Sequence, residues 1–173
     1  METPEYEPLR DENLNVCESL EDYLIRLRSG VLPNFPEEVL TEWFYRHHDC
    51  LHTYSSLDYQ TLRFEKQQWQ VEHIPGKEVF REGSYGADFA YDFDLNLSQG
   101  NWLARYMNEH GTWNTPIILL ANTQGTLVDC FGLELTRPYH LLEGHNRLEY
   151  LIVLRDRGKA LAHHWVWLVS KEH

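Results

Sequence analysis

The chain has 173 residues, 42% hydrophobic and 13% aromatic, enough apolar material for the core of one domain. No apolar run approaches the roughly 20 residues that a membrane-spanning helix needs. Its 27 acidic residues against 15 basic ones give a formal charge of −12. That argues against sequence-independent DNA or RNA binding, which needs a Lys/Arg surface to neutralise phosphates.

The same charge suits plain solubility, or a basic protein partner drawn in by a complementary field. The acidic, polar start Met1-Glu-Thr-Pro-Glu-Tyr-Glu7 is expected to be neither a signal nor a transit peptide. Cys17, Cys50 and Cys130 form no disulfide framework and no Cys-x-x-Cys pattern. A soluble cytoplasmic protein with free thiols is the expectation.

Residues 1–15, with Pro4, Pro8 and many acids, read as a mobile tail. Ser19 and Asp22 mark a helix start, with Leu20, Tyr23, Leu24 and Leu27 on one face and Gly30 as the stop. A second helix is expected from Pro36, with Val39, Leu40, Trp43, Phe44 and His47 as its apolar stripe. Over 57–74, Leu62 and Phe64, then Trp69 and Val71, alternate with polar residues; short strands are expected, with helix as the second choice. Residues 75–97, with Gly76, Gly83 and Gly86, read as loop-rich.

Ser98 is then expected to cap a helix carrying Trp102, Leu103, Tyr106 and Met107, ended by Gly111. Pro116–Leu120 is a strand-length apolar run followed by the turn Asn122-Thr-Gln-Gly125. Tyr139–Leu142 is a further strand. Residues 145–157 are a helix with Leu148, Leu151 and Ile152 inward and Gly158 at its end, and Trp165–Val169 is a closing strand. No internal repeat appears. The mixed order predicts an α/β (α+β) class, read as a tail over 1–15, a helical, loop-rich part over 16–97 and a module over 98–173, together one compact domain.

The chemistry is concentrated in Leu141-Leu-Glu-Gly-His-Asn-Arg147. A strand delivers the chain to Gly144, which tolerates a tight turn and a close ligand. The helix starting next offers the free N–H groups of its first turn, a partly positive end that holds anions. Gly144, His145, Asn146 and Arg147 are therefore the candidate phosphate or nucleotide binders, and Glu143 and His145 the candidate catalytic groups. Glu143 reads equally as a general base, a metal ligand or a clamp for Arg147. The competing reading is an ordinary strand-to-helix turn in which Glu143 caps and pairs.

Residues from about 98 to 169 resemble the ParB/sulfiredoxin-like superfamily. Its members run helix, glycine, a strand beginning Pro-Ile, a turn, and a strand ending in Asp-Gly-His-x-Arg or Gly-Glu-Arg-Arg at a helix start. Asn114-Thr-Pro-Ile-Ile-Leu-Leu120, Tyr139–Leu148 and His164–Val169 carry the match. The resemblance implies a ParB/sulfiredoxin-like module with an N-terminal helical extension, handling a nucleotide, with Mg²⁺, at the 143–147 turn. It implies phosphate contacts from Gly144, His145 and Arg147, with Glu143 where the commonest pattern has Asp. Sulfiredoxin-like members keep a reactive Cys in this motif, and none stands here, so sulfinic repair is not expected. The long basic helices of DNA-partitioning relatives are also missing, and the insertion Leu127–Arg137 lengthens the usual connection. No particular reaction is selected.

Two other clusters invite a role. His48 and His52 stand at i, i+4 as a workable zinc pair, but no third ligand is evident; a His-rich helix end facing the negative dipole is preferred, and no metal site is assigned. Asp88, Asp92 and Asp94, between aromatic residues, suit either a divalent ion or, preferentially, a half-buried strand or a contact patch for a basic partner. Trp165 and Trp167 are expected to fill the faces of a covered strand rather than stack on bases. The second functional reading is thus an acidic immunity or antitoxin-type protein that neutralises a basic protein toxin.

Overall fold

Ser19 opens the first helix, α1 (Leu20–Arg26), as its spacing predicts: its Oγ accepts from the Asp22 N–H and donates to the Asp22 carboxylate. The computed structural model describes residues 5–80, 88–123 and 126–171. The chain divides into two compact units. The first comprises Met1–Phe64, Thr126–Glu134 and Ser170–His173, and the second Glu65–Gly125 and Leu135–Val169.

In the first unit, α1 widens into a π-type turn over Leu27–Val31. The helix α2 (Glu37–Val39) follows Pro36 and continues as π-type turns over Leu40–Tyr45. Val39, Leu40, Trp43 and Phe44 are fully buried, as the stripe predicts. His47 is not part of that stripe; it is exposed, and its Nδ1 meets the Glu42 carbonyl oxygen at 2.8 Å. The core is aromatic, with edge-to-face contacts of Tyr59 on Phe44 and Trp43. Residues 5–15, read from sequence as a mobile tail, carry specific contacts. The Tyr6 ring packs on Phe44 and Tyr59, the Tyr23 hydroxyl donates to the Tyr6 carbonyl, and Arg10 bridges to Val16.

The second unit holds most of a four-stranded mixed sheet ordered β1-β4-β2-β3. The strands are β1 (Leu62–Gln70), β2 (Ile117–Ala121), β3 (Tyr139–Glu143) and β4 (His163–Lys171). Strand β2 pairs antiparallel with β3 and parallel with β4. The two short strands expected over 57–74 are one continuous strand, and Val71 falls in a 3-10 turn beyond it. Its burial alternates only weakly, which blurs the period.

Three helices pack in this unit: α3 (Phe89–Ser98), α4 (Trp102–His110) and α5 (His145–Asp156). The loop reading of 75–97 is corrected by α3: Phe89 and Phe93, four residues apart, face the core, so the acid–aromatic alternation hides a helical period. Gly83 and Gly86 lie outside the described residues. The cap predicted at Ser98 is also corrected, since Ser98 ends α3 and Asn101 caps α4, its Oδ1 accepting from the N–H groups of Leu103 and Ala104. In the turn after β2, Gln124 and Gly125 are likewise outside the described residues, while Asn122 is buried and donates through Nδ2 to the carbonyls of Leu135 and Thr136.

Strand β4 is an inner strand, as expected, with Val166 and Val169 fully buried. Its tryptophan face is only partly covered: the Lys66 ammonium lies 5.3 Å from the Trp167 ring centre, and Trp165 is about half exposed. No helix among the described residues is long and apolar enough to cross a membrane.

Candidate functional site

The 143–147 segment is a sharp corner between β3 and α5. A bulge interrupts the β2–β3 register so that Glu143 stands opposite Ile118 while Leu141 stands opposite Leu119, leaving Leu142 as the extra residue. Bulges of this kind re-aim the end of a strand. The chain then turns through Gly144 at φ +101°, the N-cap of α5. A Cβ there would lie 2.6 Å from Ile117 Cγ2, so the turn and the strand behind it are in contact through a missing side chain.

The Arg147 guanidinium folds back over this turn. Its Nε lies 3.2 Å from the position a Gly144 Cβ would take, and its Nη2 donates to Glu143 Oε1 at 2.8 Å. Both side chains are buried, so the clamp reading of Glu143 is the one the geometry contains. A buried pair of this kind is specific in direction, because removing either partner strands a desolvated charge. His145 is half-buried with its ring edge-to-face against Phe80, and Asn146 is exposed. The helix therefore begins with a glycine cap that has no side chain to fold over its first-turn N–H groups, a guanidinium lying across the turn, and an imidazole and a carboxamide beside it.

The other predicted residues are placed differently. Asp88 is an N-cap, its Oδ1 accepting from the N–H groups of Ala90 and Tyr91. Asp94 forms a two-bonded pair with Arg157 at 2.8 and 2.9 Å, and that guanidinium holds the Asp94 carboxyl below the usual range. Asp92 lies half-buried on α3. Of the two arrangements expected of these acids, a half-buried strand or a contact patch, the strand is replaced by a helix, with Asp88 as its N-cap and Asp92 and Asp94 within it.

His48 and His52 stand in a 3-10 helix over His48–Leu57, whose three-residue turn takes i, i+4 positions off a common face. The zinc pair loses its geometry. The imidazoles of His47 and His48 instead reach the Glu42 and Tyr45 carbonyls of the preceding turns. Among the described residues no group of three or more His, Cys, Asp or Glu is placed to hold a metal ion.

Two buried titratable groups escaped the sequence reading. Glu149 is buried on α5; burial, then the charge of Asp92, pushes its carboxyl up, against a smaller opposite pull from Lys77. Its signal was present as one acid inside the apolar run Leu148–Leu154. His164 is buried, and desolvation lowers its pKa. The Leu161 carbonyl can only accept, so Nε2 carries the proton, and Nδ1 accepts from the Thr112 hydroxyl at 2.8 Å. Thr112 and His164 are 52 residues apart, which no local pattern reveals.

Comparison of the chain with family models, with curated proteins and with solved structures gave no match.

Proposed function

We propose that the second unit is a ParB/sulfiredoxin-like module that binds a nucleotide or related phosphate ligand at the Glu143–Arg147 turn. One observation carries the reading: a glycine-capped helix start whose turn is crossed by a buried guanidinium held on Glu143. A phosphate oxygen at that end meets the positive end of α5 and the Arg147 fork together. The element order β2, β3, α5, β4, with β2 antiparallel to β3 and parallel to β4, supports the same reading. His145 supplies an imidazole beside the ligand, its ring set against Phe80. Glu143 is engaged by Arg147, so a Mg²⁺ brought with a nucleotide would be held mainly by the nucleotide's phosphates, whose charge it would offset.

Thermal shift and calorimetry of the intact chain with CTP, ATP, GTP and pyrophosphate, each with and without Mg²⁺, test this. A ligand at a hundred times its Kd stabilises the bound state by about 2.7 kcal/mol. That corresponds to a rise in Tm of roughly 5–10 °C for a protein of this size. His145→Ala and Arg147→Lys are expected to weaken binding at least tenfold while circular dichroism stays unchanged. Absence of any shift with all four ligands, or full affinity in both variants, would sink the proposal.

A further inference from the structure

The charge of −12 is not shared evenly. The first unit carries 16 acidic against 6 basic residues, net −10, while the second carries 11 against 9, net −2. The acidity therefore belongs almost entirely to the unit that lacks the Glu143–Arg147 turn.

That first unit also displays apolar side chains on a fixed support. Residues 126–134 form a short hairpin closed by the bridge Val128↔Glu134. The Asp129 carboxylate accepts from the N–H groups of Phe131 and Leu133 at 2.8 and 3.0 Å, and Gly132 makes the turn at φ +80°. The hairpin is tied to the 3-10 helix within the same unit, where the Cys130 N–H donates to the Thr53 carbonyl and the Ser56 hydroxyl to the Val128 carbonyl. At its tip Phe131 is 64% exposed and Leu133 53%, with the His52 ring against the edge of Phe131.

Large apolar side chains held in place outside the core are costly in water and ready to be covered, because little conformational freedom is lost when they dock. Charge complementarity decides what covers them. A second copy of this chain would bring up another first unit of net −10, and like charges oppose that contact. A basic surface is drawn in instead.

We propose that the Val128–Glu134 hairpin is the docking point for a basic protein, which the acidic surface of the first unit attracts and which Phe131 and Leu133 then anchor. Attraction sets the association rate, and the two side chains set the lifetime of the complex.

The test uses the tagged, full-length chain expressed in its native host, with cross-linking and mass spectrometry to identify a bound protein, which is then purified and titrated by calorimetry. The expected partner carries a net positive charge and cross-links to the hairpin. Its Kd is expected to rise with NaCl concentration, and to rise at least tenfold in the Phe131→Ser/Leu133→Ser variant. Ile25→Ser, at another exposed apolar residue of the same unit, is expected to leave the Kd unchanged; circular dichroism and Tm establish that both variants fold. The proposal is overturned by a neutral or acidic partner, by an unchanged Kd in the double variant, or by recovery of no stoichiometric partner. Concentration-dependent dimerisation of the chain alone, abolished by the double variant in sedimentation, would identify a second copy as the occupant and overturn it equally.

Discussion

Gly144 carries the strictest requirement of any single position at the 143–147 turn. Its φ of +101° is strained for any side chain, and the space a Cβ needs is taken by Ile117. Gly144→Ala is expected to destabilise the protein by about 3 kcal/mol, combining the backbone penalty with overpacking against β2. Urea unfolding monitored by tryptophan fluorescence measures it; a change below about 0.5 kcal/mol, the range of neutral surface changes, would show that the corner relaxes freely. Glu149 acts in the opposite sense. Its folded-state pKa is raised from the ordinary value near 4.5, so the protonated form suits the native state. The associated stability is complete below that value and is lost as pH rises through the folded pKa. Glu149→Gln is therefore expected to raise Tm at pH 7, with the gain disappearing below about pH 4.5. Thermal melts of both proteins across that range decide it, and an equal gain at every pH would assign the effect to packing.

At the scale of elements, the connection between α3 and α4 gives a direct contrast. Asn101 accepts two first-turn N–H bonds of α4, whereas the Ser98 hydroxyl bonds back to the Leu95 carbonyl near the end of α3. Asn101→Ala is expected to cost about 1 kcal/mol and Ser98→Ala only a few tenths, read from chemical unfolding midpoints. A larger loss at Ser98 would restore the cap that spacing alone suggests. The contrast also shows where sequence pattern is informative. Strand β2, strand β3 and helix α5 are legible because each is a nearly unbroken apolar run meeting a glycine or proline signal. Helix α3 is not, because exposed Tyr91 stands between its two inward phenylalanines, and Asp92 and Asp94, on either side of Phe93, mimic a strand's alternation. At the candidate site, the glycine turn and the i, i+4 spacing of Glu143 and Arg147 are visible in the sequence. The approach of Ile117 to Gly144 is not, since it depends on pairing between strands far apart in the chain.

For the molecule as a whole, the formal charge of −12 is divided unequally between the two units. The unit that contains the 143–147 turn is nearly balanced, at net −2. The first unit, at net −10, repels itself. Raising NaCl from low to physiological ionic strength is expected to increase its stability, seen by calorimetry as an upward shift of Tm by a few degrees. Sodium chloride screens without binding strongly, so a flat response would mean that its internal ion pairs, such as Arg26–Glu18 at 2.7 Å, already compensate the excess.

The hairpin of residues 126–134 has a consequence for how the protein is made. It is the middle of the three chain pieces that compose the first unit, and the second unit's own two pieces are threaded between them. The Ser56–Val128 bond closes a loop of 72 residues, and the final piece begins only at Ser170. Such distant closures are slow relative to local helix formation. The amino-terminal piece, which holds the aromatic contacts of Trp43, Phe44 and Tyr59, is made first, and its bond to the hairpin can therefore form only after residues 65–125 have been made. Because the pieces of the two units alternate along the chain, neither unit is finished before synthesis of the other has begun.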